Sequence, residues 1–492
     1  MRWQLLVAAL LAGAASVFAF APFELFPLAF ASLALLFALL RTAPGWRAGF
    51  GLGLAWGLGA FLAGVSWLYI ALNRYGGVPL PVAALAITLF CAYLALFPAL
   101  ASALFVRLRA VRPSLQAALF AGLWMATEML RGWLFTGFPW LAIGYSQTPP
   151  SPFSGFLPVI GVYGVGGLVA LCAALLVLTP WRQARAALPV ALPLVVLLVA
   201  GAALTRIEWT TPAGPPIRVA LLQTDIEQDL KWDPALLRQW LDINAGLAAG
   251  HDGADLVVLP ETTLPVLEEH LPQGFLAYLE AEALRRGGDL ILGLFTRDTE
   301  GRIYNAAINL GESGRQFYAK HHLVPFGEFS PPLFGWFYRL ADIPMSDQTP
   351  GPARQAPMTI GGQRIALNIC YEDLFGREII RSLPDATLML NISNLAWYGQ
   401  SLAQPQHLQI ARTRALETGR PMLRSTNTGM TALVMPDGSV TGVLPQFERG
   451  ALEVEVRGYR GLTPYARAGD LIALGLAFAL VIGPGLGSRR KG

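Results

Sequence analysis

Ile365-Ala366-Leu367-Asn368-Ile369-Cys370-Tyr371-Glu372-Asp373 is an apolar, strand-like run that ends on a thiol and passes at once into carboxylates. A cysteine at a strand-to-turn junction beside acidic residues has the setting of a positioned nucleophile. Working outward, further strand patterns occur at 217–222, 255–259, 289–294, 303–310, 316–319, 364–370, 386–391, 422–425, 431–435 and 452–456. Helical patterns intervene near 235–249, 274–286, 376–382 and 402–418. Helices between strands, with some strands in direct succession, predict a layered α/β domain with a sheet core covered by helices.

The rest of the chain is of another kind. Of 492 residues, 54% are hydrophobic and only 14% charged, and the mean hydropathy is positive. Before residue 206 the apolar residues form blocks near 4–21, 25–40, 49–72, 79–106, 114–130, 155–180 and 187–205, and an eighth lies at 470–486. A bilayer core needs about 20 apolar residues per helix. The expected organisation is therefore a seven-span membrane domain at 1–206, an α/β domain at 207–468, and a last span with a basic tail at 469–492. Ala19-Phe20-Ala21 resembles a signal cleavage site, but Pro22 directly after it argues for retention of the first span.

Positive residues favour the cytoplasmic ends of spans. With the N-terminus inside, Arg2, Arg41, Arg47, Arg107, Arg109, Arg112, Arg182, Arg185, Arg489, Arg490 and Lys491 fall on one side. The short opposite loops hold Arg74 and Arg131. This places both termini in the cytoplasm and the α/β domain outside it. The net charge of +4 then reports topology and not nucleic-acid binding. Glu128 and Arg131, three apart on a helix, are expected to pair.

Of three cysteines, Cys91 and Cys172 sit in predicted spans, so Cys370 is the only thiol of the α/β domain. It is either a buried spectator or a reactive group. Two residues upstream supply what a reactive thiol needs. Glu261, after Leu256-Val257-Val258-Leu259-Pro260, has apolar neighbours that suit a general base. Lys320, in Tyr318-Ala319-Lys320-His321-His322, can oppose a developing oxyanion together with the N–H that follows Cys370. Glu328 and Glu372 are supporting carboxylates, and the 376–382 helix offers its N-terminal dipole to a thiolate or oxyanion. Taken singly, a Glu after a strand is usually a solvated turn residue and a Lys a surface charge. Their joint occurrence at strand edges is what points to a site. His321-His322 lack partners at zinc spacing, and no phosphate loop or nucleotide motif occurs, so no metal and no cofactor is expected.

Leu-Pro-Glu261, Lys320-His-His-Leu-Val-Pro-Phe-Gly-Glu328, Asn368-Ile-Cys370-Tyr-Glu-Asp, Gln406-His407, Ala411-Arg412 and Thr426-Asn427-Thr428-Gly429 resemble the motifs of the nitrilase superfamily with its Glu-Lys-Cys triad. With spans on both sides, essentially the whole chain is similar to the bacterial apolipoprotein N-acyltransferase family. That resemblance implies a nitrilase-like αββα sandwich domain inserted in an α-helical bundle of about eight transmembrane helices in the inner membrane, with the catalytic domain periplasmic. It implies a ping-pong reaction in which Cys370 takes an acyl chain from the sn-1 ester of a phospholipid such as phosphatidylethanolamine. The chain then passes to the α-amine of a diacylglyceryl-cysteine at an apolipoprotein's N-terminus.

The resemblance makes Glu261 the base and Lys320 the oxyanion lysine, with Glu328, Tyr371 and Glu372 as accessory residues. It adds Trp232, in Lys231-Trp232-Asp233-Pro234, and Trp140, in Gly137-Phe138-Pro139-Trp140, as substrate-side positions. Where the family commonly reads Asn-Asp-Ala-Trp-Phe-Gly, this chain has Asn394-Leu395-Ala396-Trp397-Tyr398-Gly399, which leaves Trp397 an aromatic contact. Pro331-Pro332-Leu333-Phe334-Gly335-Trp336-Phe337-Tyr338 is either a lid at the membrane interface or part of the domain core. A membrane-tethered amidase or nitrilase with the same triad is the competing reading, and a transporter or scaffold with an inactive domain ranks below both.

Overall fold

The computed structural model describes residues 3–109, 112–330 and 347–488. The aromatic segment 331–338 lies outside them. The chain divides into two compact units, one made of Met1–Leu68, Pro81–Glu208 and Thr463–Gly492, the other of Tyr69–Leu80 and Trp209–Leu462.

The first unit is helical. Its helices Trp3–Ser16, Pro27–Thr42, Trp46–Val65, Leu80–Leu108, Pro113–Arg131, Leu157–Leu178, Ala184–Leu204 and Leu471–Ser488 occupy the eight apolar blocks. Four described segments, Trp46–Val65, Leu80–Leu108, Pro152–Leu178 and Arg185–Leu204, are long and apolar enough to cross a membrane. The first block is cut short: its α-helix stops at Ser16 and tightens into a 3₁₀ turn at Val17–Ala19. The 49–72 block likewise ends its long helix at Val65. Leu85, Leu89, Val195, Val196 and Val199 point outward and exposed, an apolar surface that water would not tolerate and lipid would. Helix crossings within the unit are close: a Cβ on Gly13 would lie 1.9 Å from the Trp56 carbonyl oxygen, so only glycine fits there. Glu128 and Arg131 are both buried, 4.0 Å apart. They also serve the following loop, Arg131 donating to the carbonyls of Phe138 (2.6 Å) and Trp140 (2.7 Å), and Glu128 accepting from the Ile143 N–H (2.9 Å).

The second unit is built on thirteen described strands: β1 (Thr211–Gln223), β2 (Leu256–Val258), β3 (Leu264–Leu267), β4 (Asp289–Arg297), β5 (Ile303–Gly311), β6 (Gln316–Ala319), β7 (Met358–Ile360), β8 (Gln363–Ile369), β9 (Leu388–Ser393), β10 (Met422–Thr426), β11 (Ala432–Val434), β12 (Val440–Val443) and β13 (Gly450–Arg460). One sheet runs β13-β1-β2-β4-β5-β6, with β3 beside β4. The other runs β12-β11-β10-β9-β8-β7. In each the central strands are parallel, β1/β2/β4 and β8/β9/β10, and antiparallel strands close the edges.

Alternation along the strands decides the layers. Ile217, Val219, Leu221, Val258 and Ile291 of the first sheet meet Ile365, Leu367, Ile369, Leu390 and Leu423 of the second in one core. The opposite face of the first sheet, with Ala220, Leu222, Val257 and Leu292, packs on Leu241 and Ala248 of helix Leu237–Ala249 and on Leu279 and Ala283 of helix Phe275–Arg286. The outer face of the second sheet, with Met389 and Met422, packs on Leu408, Ala411 and Ala415 of helix Ala403–Thr418. The result is helix, sheet, sheet, helix. Each fully buried Leu or Ile contributes about 1.5–3 kcal/mol.

Candidate active site

The candidate residues gather at strand ends, four of them after parallel strands, the usual place for sites in α/β folds, and Lys320 after the antiparallel edge strand β6. Glu261 follows β2, Lys320 follows β6, Cys370 follows β8, Asn394 follows β9 and Asn427 follows β10. Lys320 and Glu261 are 1% and 4% exposed, so their charges have no solvent to rely on. They satisfy one another instead: Lys320 Nζ lies 3.2 Å from Glu261 Oε1 and 2.6 Å from Glu328 Oε1. Burial disfavours the ammonium, but Glu261 and Glu328 more than offset it and hold Lys320 well above its ordinary range. Glu328 is pushed up by burial, with Lys320 opposing.

The Glu261 carboxylate is fixed from both sides. Its Oε1 accepts from Asn305 Nδ2 at 2.8 Å, and its Oε2 from the Asn394 N–H at 2.8 Å. Gly293 in β4 lets the turn lie against the sheet: a Cβ there would fall 2.7 Å from Pro260 O and Thr262 N and 2.9 Å from Glu261 Cα. We expect Gly293→Ala to slow the chemistry by about tenfold or more, because small misplacements of a catalytic group are expensive. Wild-type rates in a folded Gly293→Ala protein would dismiss the steric argument.

Cys370 opens a 3₁₀ turn, Cys370–Leu374, and has a left-handed backbone, φ 54°. For a residue with a Cβ this costs about 1–2 kcal/mol, so the surroundings must impose it. Glu372 does so with both oxygens, accepting from Ile369 N–H (2.6 Å) and Tyr318 Oη (2.9 Å) on one and from His321 N–H (2.7 Å) and His322 N–H (3.1 Å) on the other. One carboxylate thereby binds the Cys370 turn to the chain just after Lys320. Behind the turn, Asn391 Nδ2 donates to the Cys370 carbonyl at 3.2 Å. Asp373, fully buried, joins His407 Nε2 (2.7 Å) to Arg424 Nη1 (3.0 Å). Asn368, Asn391 and Arg424 are register partners across β8, β9 and β10, a polar row under the thiol.

The electrostatics correct one expectation. The helix after Cys370 is a single turn, Gly376–Ile379, too short for a useful dipole, and the thiol is not held as a thiolate. Burial, then the negative charge of Glu261, push the Cys370 thiol well above its usual range, with Lys320 opposing only in part. A thiol so shifted rests as S–H and, to act as a nucleophile, would need a base at the moment of attack. Iodoacetamide should therefore alkylate Cys370 near pH 7 at least about tenfold more slowly than a free thiol, with a rate that climbs into alkaline pH. A rate independent of pH between about 6 and 8 would mean a preformed thiolate.

The other sequence candidates are placed as follows. Tyr371 is buried, its ring 5.2 Å from Phe375 and 5.7 Å from His322, which itself stacks on Phe375 at 3.6 Å. Trp232 packs 6.0 Å from Phe295, and its buried indole N–H has no hydrogen-bond partner among the described residues. Trp397 meets Tyr75 edge-to-face at 6.0 Å. Trp140 belongs to the helical unit, 3% exposed and 4.9 Å from Trp67. The 394–399 loop, which the sequence left as an aromatic contact, reaches the site through the Asn394 N–H despite Leu395. Asn305, Gly293 and Asn394 were not anticipated, although a polar residue inside Ile303-Tyr304-Asn305-Ala306 and a glycine inside Leu292-Gly293-Leu294 are signals of close approach. Among the described residues no cluster of His, Cys, Asp and Glu is arranged to hold a metal.

A nitrilase-like sandwich with a buried carboxylate and ammonium and a partly buried thiol at its strand ends defines the class, and residues 218–465 match the carbon-nitrogen hydrolase family model. Residues 12–175 match the model of the apolipoprotein N-acyltransferase N-terminal domain. Apolipoprotein N-acyltransferases of Nitrosomonas europaea and Chromobacterium violaceum are 44% and 45% identical, each over 99% of this chain and over 98% and 95% of their own lengths. A solved amidase of Nesterenkonia sp. AN1 aligns at 22% identity over 49% of this chain and 93% of its own, with a TM-score of 0.39. The chain belongs to the apolipoprotein N-acyltransferase family.

Proposed function

We propose that this acyltransferase completes bacterial lipoproteins by N-acylation, with Cys370 carrying the acyl group between a phospholipid and the acceptor amine. The observation that carries the reading is the hydrogen-bonded Glu261–Lys320–Glu328 cluster, whose charges bear on the Cys370 thiol. Glu261 takes the thiol proton as sulfur attacks the sn-1 ester of a phosphatidylethanolamine-like donor. The Lys320 ammonium and the N–H following Cys370 oppose the charge on the tetrahedral oxyanion. The C–O bond then breaks, and the lysophospholipid leaves with the proton held by Glu261. In the second half the α-amine of a diacylglyceryl-cysteine attacks the thioester, yields its proton to Glu261, and the C–S bond breaks to return the thiol.

Glu328 holds Lys320, Glu372 holds the nucleophile turn, and Tyr371 packs beside it. The indole N–H of Trp232, buried without a partner among the described residues, supports a contact to a polar group of a lipid substrate. Trp397 and Trp140 are assigned to substrate-side aromatic packing on the resemblance alone. We further read residues 1–206 as seven crossings and 469–492 as the eighth crossing and basic tail. The α/β domain, 207–468, is then periplasmic and both termini are cytoplasmic, which the placement of Lys and Arg supports. Transfer in place of hydrolysis requires that water be kept from the thioester, and an entrance open to lipid provides this.

The test is the intact mass of the purified protein after incubation with phosphatidylethanolamine. An added acyl mass on Cys370, removed by a diacylglyceryl lipopeptide with formation of the amide, is expected. An adduct that water discharges as fast as the lipopeptide does would favour the tethered amidase.

A further inference from the structure

Lys231 carries a buried side-chain amino group that the reaction above does not use. It is 2% exposed, at the end of the single-turn helix Gln228–Lys231. Its Nζ donates to Thr262 Oγ1 at 2.9 Å and lies 3.5 Å from the Glu261 carbonyl oxygen. Burying a cation against so few partners is costly, and desolvation lowers Lys231 to about 7, with Glu261 opposing. Such a group persists where it has a task.

Its position indicates the task. Thr262 has a left-handed backbone, φ 47°, so the turn that presents the Glu261 side chain is strained at the residue Lys231 grips. Asn305 and the Asn394 N–H hold the carboxylate end of Glu261. Lys231 holds its main-chain end. The same short helix reaches the carboxylate's other support, since Asn394 Nδ2 donates to Gln228 Oε1 at 3.0 Å. We infer that Lys231 is a positioning residue for Glu261, fixing through Thr262 the turn from which the base works on Cys370. This rests on the reading of Glu261 as the base.

The experiment measures thioester formation on the full-length protein with phosphatidylethanolamine as donor, recording the rate constant, the donor concentration at half-saturation and the final fraction acylated. Lys231→Met should lower the rate constant by roughly tenfold while half-saturation and the final fraction stay at wild-type values. General structural damage would lower the final fraction instead. Thr262→Val, which removes the acceptor and leaves the amino group, should slow the reaction several-fold. The double variant should be no slower than Lys231→Met, since both act through one contact.

Glu261→Gln separates the two claims. If it acylates at the wild-type rate, the base assignment fails and the inference goes with it. If Glu261→Gln is slow while Lys231→Met and Thr262→Val keep the wild-type rate constant, the inference alone is overturned. Should Lys231→Met not fold, Thr262→Val decides: a wild-type rate constant refutes the role of Lys231.

Discussion

Cys370→Ala should give a folded protein that gains no acyl mass from phospholipid and transfers none to a lipopeptide, with activity down by about 10³-fold or more. The size follows from the chemistry: without sulfur there is no thioester and no second half-reaction. Stability should change little, because the thiol accepts none of the hydrogen bonds that hold the turn. Those belong to Glu372, Asn391 and the Asp373–Arg424 pair. Mass spectrometry of the intact protein and a thermal melt read the two effects separately. An adduct of undiminished amount on Cys370→Ala would place the nucleophile elsewhere, and Cys91 and Cys172, both buried in the helical unit, are the remaining thiols.

Glu261→Gln should retain the shape of the site and lose about 10²–10⁴-fold in the rate of thioester formation. The thiol is held protonated, so removing the proton acceptor acts on the first chemical step. Glutamine can still accept from Asn305 or from the Asn394 N–H, and Lys320 keeps Glu328, so the loss should fall on the rate constant and not on donor affinity. A single-turnover time course at several donor concentrations checks this. If half-saturation rises while the limiting rate is unchanged, Glu261 is a binding group and the base must be sought among the other buried carboxylates.

Much of this was legible in the sequence. Strand-like patterns of six or more residues identify β1, β4, β5 and β8, and Cys370 stands directly after the last of these, while Glu261 and Lys320 follow the shorter β2 and β6. β3, β7 and β12 escape the same reading because they hold only three or four residues and, unlike the equally short β2, β6 and β11, contain or adjoin Pro or Gly. The single-turn helix after Cys370 was read as longer since 3₁₀ residues Ile380–Ser382 continue its pattern. What the sequence hides most thoroughly is support. Glu372 stands two residues from Cys370 and can be suspected, but Asn305 is 44 positions from the carboxylate it holds, a relation created by the pairing of β2 with β4 and of β4 with β5. The apolar blocks of the helical part locate helices well but not their ends, which local breaks such as the one after Ser16 decide.

The twelve residues Tyr69–Leu80, which read from sequence as the end of one span, a short loop holding Arg74 and the start of the next span, are counted with the α/β unit. Arg74 pairs there with Asp229 at 3.0 Å, and Tyr75 lies against Trp397. Both partners sit on segments that reach Glu261 or its turn, one through Gln228–Lys231 and the other through the loop opened by Asn394. An excised fragment starting at Trp209 would therefore be missing a piece of itself, encoded more than a hundred residues upstream. Supplying Tyr69–Leu80 as a separate peptide, or splicing it back through a linker, is the minimal repair for anyone who wants the catalytic half in water.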